Sequence, residues 1–202
     1  AGVPAQRPGC AMSAHLLLPG AAPVIVTAPH AVEQERDGKL KLAEPATRLL
    51  AERLHECAGI TALIKTDEDK ADPNADEHSP FRDTAVHEVQ RRGIVAGIDL
   101  HQMNPDRPDQ VILGTGRGRN IHGNWAVRDI VVAEFNASGV PVLVDEIFPA
   151  MGLHRVSSDV AMRTGIPYVQ VEMNSAALDE GPREHMIAAL ERIVLRLTEE
   201  LA

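Results

Sequence analysis

Three apolar runs of this chain end in side chains that bind metal ions or move protons. Pro23–Ala28 (PVIVTA) leads into Pro29-His30, and Ile94–Leu100 (IVAGIDL) leads into His101. Pro167–Met173 (PYVQVEM) carries Glu172 near its end, with Asn174 next. Short runs rich in Val and Ile, bounded by Gly, Pro or polar residues, read as strands buried on both faces. In open α/β sheets, ligands bind outside the carboxyl ends of the strands. Two His and one Glu at three strand ends are therefore placed to share one site. Imidazole and carboxylate are the donor types of a hydrolytic zinc ion, which takes three protein ligands and keeps one position open. His30 and His101 supply two. The third is open on the residues alone. Glu33 and Glu35 follow His30 closely, while Glu44 precedes Pro45 at an expected helix start. Helix starts share the sheet edge with strand ends, and the helix dipole favours a carboxylate there.

The last of these strands carries more information. Its two-residue period puts Tyr168, Gln170, Glu172 and Asn174 on one face and Val169, Val171 and Met173 on the other. A polar face is costly inside a sheet unless it lines a site, and is otherwise the mark of a wet edge strand. Asp99 shares a face with His101 at i and i+2. It either fixes the tautomer of a ligating His or caps a loop.

The remaining pattern must position these groups. Further strand-like runs are Ala62–Lys65, Gln110–Gly114 and Val140–Asp145, with Ala14–Leu18 as an edge strand. Apolar residues at helical spacing mark helices over Glu44–Cys57, Phe81–Arg92, Trp125–Ser138 and about Pro182–Leu201. This alternation predicts a single α/β domain spanning residues 1–202: a three-layer αβα sandwich with a mostly parallel central sheet. Residues 1–12 are expected to be a disordered or truncated N-terminus. Asp67–Glu77, with six acids and one Lys, reads as a solvated loop. Gly114–Gly118 lacks the Lys-Ser/Thr of a phosphate-binding loop and is expected to be a flexible loop at the site.

Composition narrows the function classes. Of the 202 residues, 44% are hydrophobic and 24% charged, as in globular domains. The net charge of −9 is spread evenly: residues 1–101 carry 11 basic and 15 acidic side chains, the rest 9 and 14. Without a basic stripe, and with only five aromatic rings, nucleic acid is not an expected partner. No apolar run reaches the ~20 residues of a membrane span. Two cysteines, Cys10 and Cys57, are too few for a disulfide framework, so a cytoplasmic location is the default. There is no G-x-S-x-G nucleophile elbow.

Five segments, in order, resemble the N-formylglutamate amidohydrolase family of zinc hydrolases. They are Ala28–Ala31 (APHA), Glu44–Ala51 (EPATRLLA), Asp72-Pro73-Asn74, Ile98–Met103 (IDLHQM) and Val169–Asn174 (VQVEMN). The resemblance covers about residues 23–190 and implies a zinc-exopeptidase-like, phosphorylase/hydrolase-like architecture. It further implies one Zn2+ per chain held by His30, Glu44 and His101, with Glu172 as general base. The substrate would be a small N-acyl amino acid or short peptide. Asp72, Asn74 and Asn174 would border the substrate. The family has Arg after the Asn of the third and fifth segments, where this chain has Ala75 and Ser175. Arg119, beside Asn120, is the expected substitute charge, with Arg82 and Arg155 as alternatives. A peptidase or amidase acting on peptide or γ-glutamyl bonds, or a non-catalytic metabolite-binding module, would fit the same residues.

Overall fold

A computed structural model describes residues 15–67, 69–108 and 110–202. Cys10, the expected N-terminal segment over residues 1–12 and the first residue of the expected edge strand, Ala14, lie outside the described residues.

The chain runs β1 (His15–Leu18), β2 (Val24–Ala28), β3 (Gln34–Arg36), β4 (Lys39–Lys41), α1 (Pro45–Ala58), β5 (Thr61–Lys65) and α2 (Pro80–Arg92). It continues through β6 (Ala96–Met103), β7 (Val111–Gly114), α3 (Trp125–Ala137), β8 (Val142–Val144), α4 (Val156–Thr164), β9 (Tyr168–Asn174) and α5 (Glu180–Leu201), with a 3-10 turn at Ser175–Leu178. Pro45 opens α1, where its missing N–H costs nothing, and Gly59 closes it in the left-handed conformation at φ 64°. The Ser79 hydroxyl caps α2 by accepting from Arg82 N.

Seven strands form one sheet in the order β1-β5-β2-β6-β9-β7-β8. The contacts β5/β2, β2/β6, β6/β9 and β7/β8 are parallel, while β1/β5 and β7/β9 are antiparallel. Helices α1, α3 and α5 cover one face through a core that includes Leu50, Leu54, Ile130, Phe135, Leu190 and Leu197. Helices α2 and α4 cover the other, around Phe81, Val89, Val160 and Tyr168. This is the expected αβα sandwich. From β2 the chain crosses to β5 on one side and then to β6 on the other. The switch point therefore lies between the carboxyl ends of β2 and β6, where such sheets open a crevice.

Two elements had no apolar signal. The β3–β4 hairpin is built from charged residues, QER and KLK, and turns through Asp37 and Gly38, both at positive φ (53° and 70°). Asp-Gly is the pair that a two-residue hairpin turn requires. Helix α4 is nine residues long with only three buried apolar side chains, Val156, Val160 and Ala161, too few for a clear stripe. Strand β9 is central, so its polar face is not the wet side of an edge.

Candidate metal centre and active site

β2 ends at Ala28, and Pro29 carries the chain to His30. β6 runs parallel to β2, so His101 arrives at the same sheet edge. Glu44 sits immediately before α1, and its N–H donates to the His30 carbonyl at 2.8 Å, which pins the helix start beside β2. The three side chains are buried, and their donor atoms all lie within 4.8 Å of one another. Glu33 and Glu35 are exposed and point elsewhere, Glu35 toward Lys70.

The geometry of the cluster is specific. His30 Nδ1 lies 3.1 Å from Glu44 Oε1 and 3.1 Å from His101 Nδ1, which is 3.2 Å from Glu44 Oε2. The outward nitrogens meet carboxylates: His30 Nε2 is 3.0 Å from Asp72 Oδ1, and His101 Nε2 is 3.0 Å from Asp99 Oδ2. Asn74 Nδ2 also approaches His101 Nε2, at 2.9 Å, its amide oriented by the Val156 N–H donating to Oδ1. A carboxylate is the stronger partner for a ring N–H. Each Nε2 is therefore the nitrogen that would keep a proton, directed at its aspartate, when a cation is held, and both Nδ1 lone pairs would then face inward with the Glu44 oxygens. Lone pairs 3.1 Å apart repel unless a cation lies between them. Two ligands about 2.05 Å from a tetrahedral zinc stand about 3.4 Å apart, close to these separations. The donor set therefore fits one metal ion.

Electrostatics follow from the same packing. Burial works against the Glu44 charge, but the two imidazoles outweigh it and hold the carboxyl well below its ordinary value. Burial also opposes charge on His101, yet Asp99 and Glu44 raise its pKa well above the usual imidazole value. Burial lifts the Glu172 carboxyl above its ordinary value, with His101 partly offsetting this. Lys41 Nζ, on the hairpin, lies 2.5 Å from Glu44 Oε1. Thr27 donates to Asp99 Oδ1 at 2.7 Å and accepts from the Tyr168 hydroxyl at 3.2 Å. Asp99 thus braces His101 from inside the sheet, and the Tyr168 end of the polar face is spent on this relay.

A cavity of about 440 Å³ opens over the cluster. Glu172 and Gln170 line it, with Gln170 Nε2 donating to Glu172 Oε1 at 3.0 Å. Its rim carries four cations, Arg36, Lys41, Arg107 and Arg155, and an apolar wall from Ile147 to Met151. Arg107 stacks over the Phe148 ring, 4.9 Å from its centroid.

Several expected substrate contacts lie elsewhere. Asp72 is fully buried, its carboxylate taken by His30, Arg36 and the Asn74 N–H, and it does not line the cavity. Asn74 does line the cavity. Asn174 turns away: its amide donates to the Pro105 and Arg107 carbonyls and accepts from Ala176 N, capping the 3-10 turn. Arg119 and Asn120 line a separate pocket with Leu153 and Met162, where they donate to the Met151 and Ala150 carbonyls. They hold the back of the cavity wall rather than its face. The Gly114–Gly118 turn does the same, with Gly116 N donating to the Pro149 carbonyl. Arg82 is 3% exposed and is consumed by Asp159 and four backbone carbonyls. Of the three candidate arginines, Arg155 alone lines the cavity. Arg36 and Lys41 were missed because they sit on the hairpin, whose only sequence signal is Asp37-Gly38.

No protein-family model and no curated protein sequence matches the chain. Solved structures do. The chain is similar to N-formylglutamate amidohydrolase from Ralstonia eutropha JMP134, at 17% identity and TM-score 0.64, covering 94% of this chain and 99% of that one. It is similar to a bacteriophage poly-gamma-glutamate hydrolase, at 17% identity and TM-score 0.58, covering 92% and 89%. A putative carboxypeptidase A from Shewanella denitrificans OS-217 aligns at 15% identity and TM-score 0.59, covering 93% of this chain and 61% of that one. The chain thus shares the α/β fold of N-formylglutamate amidohydrolase and of the carboxypeptidase, and at its sheet switch point it holds a buried His30–Glu44–His101 group able to take one metal ion.

Proposed function

We propose that the chain is a zinc-dependent amidohydrolase that cleaves the amide or formamide bond of an N-acylated amino acid. The observation that carries this reading is the convergence of His30 Nδ1, His101 Nδ1 and the Glu44 carboxylate beneath a cavity lined by a second carboxylate. Nitrogen and oxygen donors in a three-point set suit zinc. When bound, zinc acidifies a water molecule and polarises the substrate carbonyl. His30, Glu44 and His101 would hold the ion, and Asp72 and Asp99 would keep the two rings in register. Glu172 takes the proton of the attacking water and returns it to the leaving nitrogen. Its raised pKa makes it a better base than an exposed carboxylate. The Gln170 amide keeps one Glu172 oxygen oriented toward the cavity.

A second reading, hydrolysis of γ-glutamyl or peptide bonds, is supported by the likeness to the phage poly-gamma-glutamate hydrolase and to the carboxypeptidase. A panel of N-formyl and N-acetyl amino acids against γ-glutamyl and α-peptides separates the two by relative kcat/KM.

Metal content and turnover are measured side by side for the wild type, His101→Ala and Glu172→Gln. We expect about one zinc per chain in the wild type and in Glu172→Gln, and little in His101→Ala. Activity falls about 10²- to 10⁴-fold in Glu172→Gln. Near-full turnover in metal-loaded Glu172→Gln overturns the base assignment. Absence of metal from the zinc-supplied wild type overturns the hydrolase reading.

A further inference from the structure

Most of the cavity over the metal cluster is lined by polar and charged side chains, but one stretch is not. Residues 147–151 (IFPAM), between β8 and α4, are apolar without interruption, and all five line the cavity together with Met103 of β6. Ile147 and Met151 remain 48% and 40% exposed.

The stretch is fixed from behind. The Pro149 carbonyl accepts from Gly116 N at 2.8 Å, the Ala150 carbonyl from Asn120 Nδ2 at 3.0 Å and the Met151 carbonyl from Arg119 Nη2 at 3.0 Å. Asp145, two residues before it, accepts from Thr115 N at 2.7 Å and from the Thr115 hydroxyl at 2.5 Å. Gly114 lets the two segments touch, because a Cβ there would lie 2.6 Å from the Phe148 carbonyl oxygen. Ala150 is held at φ 57° and Asp145 at φ 55°, in the left-handed region that disfavours a side chain. Such strain persists only where the surroundings impose it. The polar backbone of residues 149–151 is thus spent on the loop behind, and apolar side chains are left to face the cavity. An apolar surface that is already rigid gains from being covered and loses little entropy on binding.

We infer that residues 147–151 form an apolar subsite that takes a hydrocarbon substituent of the substrate, several carbons long, beside the bond to be cleaved. This rests on the hydrolase reading and narrows it to N-acyl amino acids that carry such a group, on the acyl chain or on the amino-acid side chain. N-formylglutamate fits the subsite poorly, since its formyl group is too small to cover the wall and its side chain would set a charge against it.

Calorimetric binding to the zinc-loaded Glu172→Gln chain tests the subsite with turnover suppressed. Two ligand series start from N-acetylalanine. One lengthens the acyl group to butanoyl and hexanoyl; the other replaces alanine by norvaline and norleucine. We expect at least one series to tighten about 2- to 4-fold per added CH2, and the series that does so identifies which end of the substrate meets the wall. Ile147→Ser and Met151→Ser, each added to this chain, should flatten that series. Both side chains are already well exposed, so neither change threatens the fold. Leu195→Ser, at an exposed apolar position on α5, should leave it steep. Affinity independent of length in both series, or a series equally steep in both wall variants, overturns the subsite. Tightening that depends on the wall, with no N-acyl amino acid turned over by the wild type, refutes the hydrolase reading alone. Turnover with affinity indifferent to length refutes the subsite alone.

Discussion

At the scale of residues, the site depends on which nitrogen of each imidazole faces inward. Asp99 and Asp72 decide this by occupying the outer nitrogens at 3.0 Å. Asp99 is fully buried, and its other oxygen is held by Thr27. Asp99→Asn keeps the shape but lets the amide donate toward His101 Nε2, which favours the wrong tautomer. We expect zinc affinity to fall about 10- to 100-fold, read by competition with a chromophoric chelator. Wild-type affinity in Asp99→Asn would remove the tautomer argument. His30, His101 and Glu172 were legible in the sequence because each ends an apolar run. Glu44 was legible as a helix-start acid, yet neither Glu33 nor Glu35 could be set aside until their exposure was known. Arg119 misled because Gly-rich turns after strands often carry ligand contacts, whereas this one ties down the chain behind the cavity.

At the scale of elements, β6 and β9 must lie close to bring His101 and Glu172 into register, and they pair directly. Gly97 permits this. A Cβ there would lie 2.2 Å from the Tyr168 ring, which is fully buried between the sheet and helices α2 and α4. Gly97→Ala must therefore displace the ring, whose hydroxyl donates to Thr27. We expect a loss of about 1–3 kcal/mol in urea unfolding. An unchanged midpoint would mean the strands can part without cost. The glycine itself gave no signal in the sequence, because the ring it accommodates lies 71 positions away on a different strand. The β3–β4 hairpin was missed for a related reason. Its strands are charged and bury almost nothing, so no alternation marks them, yet they deliver Arg36 and Lys41 to the cavity rim.

At the scale of the whole molecule, the three donors join the end of β2 and the start of α1 to the end of β6, 57 positions beyond Glu44. An ion bound only by the folded arrangement stabilises all of it. Zinc at 100 times its dissociation constant should add about 2.7 kcal/mol, and a chelator should remove that increment and lower Tm. A Tm indifferent to zinc and chelator would mean that the cluster does not bind the ion. Among the described residues, no helix is long and apolar enough to cross a membrane. The sequence by itself determined the αβα architecture, because buried parallel strands and amphipathic helices announce themselves by local periodicity. It also determined which strand ends carry reactive groups. The tertiary structure alone decided which carboxylate joins the two histidines, and which arginines face the cavity. Those choices depend on where side chains from distant elements meet, and local periodicity carries no information about that.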